Sequence, residues 1–510
     1  MKYYSTRDKS VRMEAAEAVK MGLSRDGGLL TPVEIPQIDE AFLRALVDQP
    51  YAVRAAKVMA LYLTDYTEEE LLGFANNAYG PEKFDTPAVA PLRKVDANTH
   101  CLELWHGPTS AFKDMALQML PQLLSAALRK TGEDKTACIL VATSGDTGKA
   151  AMEGFADVPQ TKILVFYPKD GVSAVQEAQM VTQEGANVGV CAVVGNFDDA
   201  QAGVKRIFSD ESIRATLAQR GYFLSSANSI NWGRILPQVV YYISAYCDLL
   251  RDGEITMGDK VNFCVPTGNF GDILAAYYAK RMGLPVGKLI CASNRNDVLT
   301  DFLRTGVYDR NRPFHTTMSP SMDILVSSNL ERLLFDLSGE NDEEVRGYMD
   351  ALAKTGKYEV SDAIRTALQE QYWGGYCDEA GTAATIARYE RDYGYLIEEY
   401  LEGENLFDVV KEQGPLSTAR TVSIGIQICH LVHHLHSAKE NPILYLDLQP
   451  KNLLLCQRTV KLVDFGRAAF FGESGGVAGT PGCAAPEQYA GEEPDERTDI
   501  YGIGAVLYFL

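Results

Sequence analysis

The sequence predicts an α/β protein built on parallel strands and crossover helices, followed after about residue 395 by a segment organised differently. Two observations carry the first part. Three times a short apolar, β-branched run passes through a turn into a helical pattern: CILVAT (138–143) into SGDTG and KAAMEGFA, TKILVFYP (161–168) ahead of SAVQEAQMVTQEG, and VNFCVPT (261–267) into GNFGD and ILAAYYAKRMG. The 510 residues are 46% hydrophobic and 23% charged, a balance that buries cores, and the length is that of roughly three domains. The second part is marked by the loss of this alternation near Tyr393–Tyr400.

Taken in order, residues 11–79 read as helical, interrupted by a turn at Asp26-Gly27-Gly28 and by Pro32 and Pro36. From about Leu102 the strand–turn–helix units follow. Beyond them come a strand-like YLIEEYLEG (395–403), a long helical RTVSIGIQICHLVHHLHSA (420–438), and two short strand patterns, NLLLC (452–456) and VKLVDFG (460–466). A Gly- and Pro-rich stretch, GTPGCAAPE (479–487), leads to the apolar YGIGAVLYFL, which reads as an element cut short.

Charge and cysteine usage narrow the function. There are 68 acidic against 48 basic residues, a formal charge of −20, so a nucleic-acid backbone or an anionic membrane is not an expected partner. An anionic small substrate would need its own local donors. The ten cysteines stand singly, without a Cys-x-x-Cys pair, which reads as reduced thiols of a cytoplasmic protein with no metal site. Neither a signal-peptide core nor an apolar run of about 18 residues is present.

Two Gly-bearing turns are chemically suggestive. Ser144-Gly145-Asp146-Thr147-Gly148 and Gly268-Asn269-Phe270-Gly271-Asp272 each lie between a buried strand and a helix start, where unpaired N–H groups and the dipole attract anions. Singly, either is more often an ordinary capped turn. As a pair they fit two phosphate-like groups, or a cofactor and a substrate. Lys113 follows a Gly-Pro turn at the head of another helix; an exposed first-turn lysine is the plain alternative, but a desolvated one would lose proton affinity and become nucleophilic.

The ordered set HGPTSAFKD (106–114), ATSGDTG (142–148), SANSINWGRILPQ (226–238) and PTGNFGD (266–272) resembles the threonine synthase family. The likeness begins at YYSTRD (3–8) and GLSRDGGLLTP (22–32) and runs to about Leu396. It implies a pyridoxal 5′-phosphate (PLP)-dependent fold type II, the two-domain α/β arrangement of the tryptophan synthase β-subunit. The reaction implied turns O-phospho-L-homoserine and water into L-threonine and phosphate. By this resemblance Lys113 is the catalytic residue and carries the cofactor, while Gly268, Asn269, Phe270, Gly271 and Asp272 seat its phosphate. Ser144, Gly145, Asp146, Thr147, Asn231 and Arg234 would bind substrate. His106 is given a packing or orienting role. The domains implied are 1–92, an N-terminal domain, and 93–395, a catalytic domain that lacks the family's closing Asp-Pro-His-Thr segment.

Residues 396–510 resemble part of the large lobe of a eukaryotic-like protein kinase. YLDLQPKN (445–452) is similar to the catalytic loop HRDLKPEN, Asp464-Phe465-Gly466 to the metal-binding motif, and Ala485-Pro486-Glu487 to the end of the activation segment. The resemblance makes Asp447 the base and Asn452 with Asp464 the Mg²⁺ ligands, all vestigial. Tyr445, Leu446 and Gln449 depart from the pattern, and no Gly-rich lid or strand lysine precedes it, so productive ATP and Mg²⁺ binding is not expected. Three alternatives stay open: another eliminating enzyme on the same fold, such as threonine dehydratase; a catalytically dead kinase-like scaffold; and a non-functional chimera of two genes joined across Tyr395-Leu396-Ile397.

Overall fold

A computed structural model describes all residues except 144, 170, 173, 196, 394–403, 438–441, 457–458, 464–466 and 472–479. The chain divides into two compact units, Met1–Tyr395 and Leu396–Leu510. The strand expected at 395–403 lies outside the described residues.

The first unit opens on an antiparallel sheet of Lys2–Ser5, Arg12–Glu14 and Leu30–Pro32, with Lys2–Ser5 in the middle. This corrects the all-helical expectation for residues 11–79. Strands of three residues are too short to show a period of two, and they are set by burial instead, Tyr3 and Tyr4 being enclosed. The helices of this region begin on sequence-coded caps. The Asp39 side chain accepts from Phe42 N, and Thr67 with Glu70 forms a reciprocal capping box.

The strand–turn–helix units build two parallel sheets. Four strands lie in the order Val188–Val193, Thr161–Pro168, Thr136–Ala142, Tyr222–Ser225. Three others pair as Val261–Pro266, Val286–Ser293, Tyr372–Tyr376. The helix Trp232–Arg251 is buried on every side along most of its length, as an all-round apolar helix must be, and so forms the centre of the unit. Its N-terminus and the turns after Ala142 and Pro266 all carry residues of the candidate site.

In the second unit, Glu404–Asn405, Leu453–Cys456 and Thr459–Leu462 form a small antiparallel sheet. The helices Thr418–His436 and Glu496–Phe509 pack with it around Ile424, Ile428, Val432, Leu453 and Val506. Among the described residues, no helix of either unit is long and apolar enough to cross a membrane.

Candidate active site

Lys113 sits at the head of the short helix Asp114–Leu117, and only 12% of its side chain is exposed. Burial pushes the amine below the ordinary lysine pKa; Asp146 offsets part of this, and the nearby charge of Arg234 adds to it. Nζ lies 3.3 Å from Asp146 Oδ2. Burial alone would raise the Asp146 carboxyl, but Lys113, the Gln176 amide and the Ser321 hydroxyl outweigh it and hold the group below its usual value. Gln176 Nε2 donates to the other oxygen, Oδ1, at 2.6 Å. The result is a lysine amine held below its ordinary proton affinity beside a carboxylate held below its own.

Asp146 opens the helix Asp146–Phe155. Gly145 precedes it at φ +136°, where a Cβ would lie 2.3 Å from the Gln176 side chain. Thr143 Oγ1 accepts from both Gly145 N and Gly148 N at 2.9 Å, which fixes the turn. Thr147 is half-buried on the same turn, and Ser144 lies outside the described residues.

The second turn leads into the helix Gly271–Arg281, whose first backbone bond runs from Leu274 N to Phe270 O at 3.1 Å. The N–H groups of Gly271, Asp272 and Ile273 therefore have no helical acceptor and are available to an anion. Phe270 holds a left-handed φ of +63° and is buried with its ring against Tyr372. A Cβ at Gly268 would lie 2.7 Å from Ser321 O. Asn269 uses its side chain inside the protein, donating to Ser229 Oγ and accepting from Ser328 N. The Asp272 carboxylate accepts from the Tyr241 and Tyr242 hydroxyls, the latter at 2.6 Å. The side chain is thus bonded inside the protein, while the backbone N–H stands with those of Gly271 and Ile273 at the helix start.

Asn231 is bonded within the protein. It is buried at the start of the central helix, where Oδ1 accepts from Gly233 N and Nδ2 donates to Val19 O and Ser226 O. Its polar atoms cap the helix and tie down the chain. Arg234, one turn on, donates through Nη1 to Ala227 O, while Nε is buried without a partner among the described residues. Burial lowers this guanidinium to about 10, against the pull of Tyr241 and Asp114. Asn228 Oδ1, in the same segment, is likewise buried and unpartnered. His106 pairs Nδ1 with Asp85 and Nε2 with Glu103, at 2.6 and 3.0 Å.

These features fit a phosphorylated aldehyde cofactor: a buried nucleophilic amine, an anion-ready turn crowded so that glycine alone fits, and two orphaned polar atoms. Gln176, Ser321, Asn228 and the Tyr241–Tyr242 pair escaped the sequence reading. Their partners are distant in sequence, and YY within VVYYIS reads only as core.

Fold and site together define a PLP-dependent enzyme of fold type II. Residues 84–373 match the pyridoxal-phosphate dependent enzyme family, residues 2–79 the threonine synthase N terminus, and residues 382–510 the protein kinase domain. The chain is 41% identical over 399 residues to threonine synthase of Pseudomonas aeruginosa, covering 78% of this chain and 82% of that one. It is also 41% identical over 393 residues to the human threonine synthase-like 1, covering 75% of this chain but 52%, about half, of that protein. PLP-bound threonine synthase from Brucella melitensis superposes with a TM-score of 0.72 at 42% identity, over 78% of this chain and 83% of that one. The chain belongs to the threonine synthase family, and its cofactor is pyridoxal phosphate.

In the second unit, Asp447 and Asn452 come together: Asn452 Nδ2 donates to the Asp447 backbone oxygen at 3.0 Å and to its carboxylate at 3.2 Å. Thr480 Oγ1 and Gln449 Nε2 also donate to that carboxylate, at 2.7 and 3.1 Å. Leu446 stands at φ +64°, and Asp499 accepts from its N–H and from that of Tyr445. Asp464 lies outside the described residues.

Proposed function

We propose that residues 1–395 convert O-phospho-L-homoserine and water to L-threonine and phosphate, with 1–92 as an N-terminal domain and 93–395 as the catalytic one. The observation that carries this is the buried Lys113 amine, 3.3 Å from Asp146 and served by two anion-ready turns, in a chain of this family. When bound, pyridoxal phosphate supplies an electron sink for charge developing on substrate carbon. Lys113, with its lowered proton affinity, binds the cofactor and then moves protons at the substrate α and β carbons. Asp146, held below its usual carboxyl pKa, orients the amine. The N–H groups at the head of Gly271–Arg281 take the cofactor phosphate. The turn Ser144–Thr147 and Arg234 receive the leaving phosphate, whose charge needs fixed donors.

The protein is proposed to work in the cytoplasm on a small molecule, without nucleic acid or membrane. Residues 396–510 are proposed to be inactive in phosphotransfer: the Asp447 carboxylate is already shared by Thr480, Gln449 and Asn452. Incubation with ATP, Mg²⁺ and a generic protein substrate should give no more labelled product than Asp447→Ala does. A chimera of two genes is a second reading, favoured by the change of family between residues 373 and 382. Continuous single-molecule reads across codons 380–410 test it, and reads that never cross the join would establish an artefact of assembly. The enzyme reading is tested by phosphate release from O-phosphohomoserine, with ammonia release as the mark of a dehydratase instead.

A further inference from the structure

Arg332 is buried in the first unit with 1% exposure, yet it forms no ion pair among the described residues. Nε donates to Leu30 O at 3.0 Å and Nη2 to Ile230 O at 2.6 Å. Nη1 donates to Asn329 Oδ1 and, at 3.5 Å, approaches Ser229 O. Enclosing a guanidinium with carbonyl acceptors and the Trp232 ring, 6.0 Å away, is costly, and burial lowers its pKa to about 10. Of the two other deeply buried arginines, Arg54 is neutralised by Asp248 at 2.7 Å, whereas Arg234 of the candidate site, like Arg332, has no ion pair among the described residues.

Apart from Leu30 O, the carbonyls that Arg332 binds belong to the two segments gripping the 268–271 turn. From one side, Ser327 Oγ donates to Gly268 O at 2.6 Å and Ser328 N to Asn269 Oδ1 at 2.9 Å. Asn329 adds its backbone N–H and its Nδ2 to Asn269 O, at 3.3 and 3.2 Å. From the other side, Ser229 Oγ accepts from Asn269 Nδ2 at 3.1 Å. Arg332 bonds to both sides, and to the N-terminal strand Leu30–Pro32 as well.

We propose that Arg332 is a positioning residue that locks these two segments together and so fixes the turn that seats the cofactor phosphate. The inference rests on the proposed role of that turn. Without the guanidinium, the 229–230 and 327–329 segments lose their common anchor, and the free N–H groups after Phe270 are no longer held in one geometry for an anion.

The test titrates purified full-length apoprotein with pyridoxal phosphate, read by the visible band of the bound cofactor and its ³¹P chemical shift. Arg332→Met and Asn329→Ala are each expected to raise the Kd about tenfold and move the ³¹P signal. Arg332→Lys should recover part of the loss, and the double variant should bind no worse than Arg332→Met alone. Arg54→Met, a buried-arginine control away from the turn, should lower Tm but leave Kd unchanged. A change below about threefold in folded Arg332→Met or Asn329→Ala, or losses that multiply in the double variant, overturns the proposal. If Arg332→Met does not fold, Asn329→Ala decides alone by the same threshold. If the parent chain shows no band that Lys113→Ala abolishes, the cofactor reading itself has failed, and this inference falls with it.

Discussion

Lys113 and Asp114 are adjacent, and burial acts on them in opposite senses. The Lys113 amine is pushed below the ordinary lysine range, so its neutral, nucleophilic fraction is present at lower pH than for an exposed lysine. Lys113→Ala should therefore abolish both the visible cofactor band and phosphate release, by at least about a thousandfold in rate. The Asp114 carboxyl is raised to about 6 by burial, against the hydrogen bonds from Thr109 and Ala111. A carboxyl whose folded pKa lies above its unfolded value contributes stability that is complete below the unfolded pKa and is lost as pH rises through the folded one. Between about pH 4 and pH 6 this costs up to about 3 kcal/mol. Asp114→Asn should flatten the unfolding free energy over that window, as measured by urea titration at stepped pH. An unchanged slope would show that the Asp114 carboxyl does not titrate there.

At the level of elements, the turns of the site depend on close approach. Gly268→Ala would bring a methyl to 2.7 Å from Ser321 O and force the 320–322 turn away. Cofactor affinity should fall about tenfold with little loss of Tm, the turn being a local feature. Equal affinity in the variant would show that the turn can shift without consequence. These turns were legible because each follows an apolar, β-branched run that passes into glycine: CILVAT and VNFCVPT form the strands Thr136–Ala142, largely buried, and Val261–Pro266, buried only at Val265, and helices begin at Asp146 and Gly271. The long helix expected at 420–438 is observed as Thr418–His436. The three-residue strands Arg12–Glu14 and Leu30–Pro32 were not legible, since nothing periodic fits in them. The capping bonds of Asn231 to Val19, Ser226 and Gly233 were not legible, since a helix cap and a ligand contact draw on the same polar residues. The Ser-Ser-Asn before Leu330–Leu337 is a helix-start pattern, but no spacing in the chain reveals that it grips a turn some 60 residues earlier.

For the molecule as a whole, each compact unit has its own core, one centred on the buried helix Trp232–Arg251 and one on Ile424, Ile428 and Val506. Separate cores predict separate unfolding steps. Calorimetry of the full chain should show two transitions, and pyridoxal phosphate should raise only the one belonging to residues 1–395, by mass action. One transition moved in full by the cofactor would contradict this. The net charge of −20 leaves capture of an anionic substrate to local donors, so high salt should weaken substrate binding only modestly compared with the loss of Arg234. Catalysis by this chain is read from phosphate release from O-phospho-L-homoserine with the purified full-length protein and pyridoxal phosphate, using Lys113→Ala as the blank. Release well above the blank is the predicted result. Soluble protein that binds the cofactor through Lys113 yet releases no phosphate would contradict it.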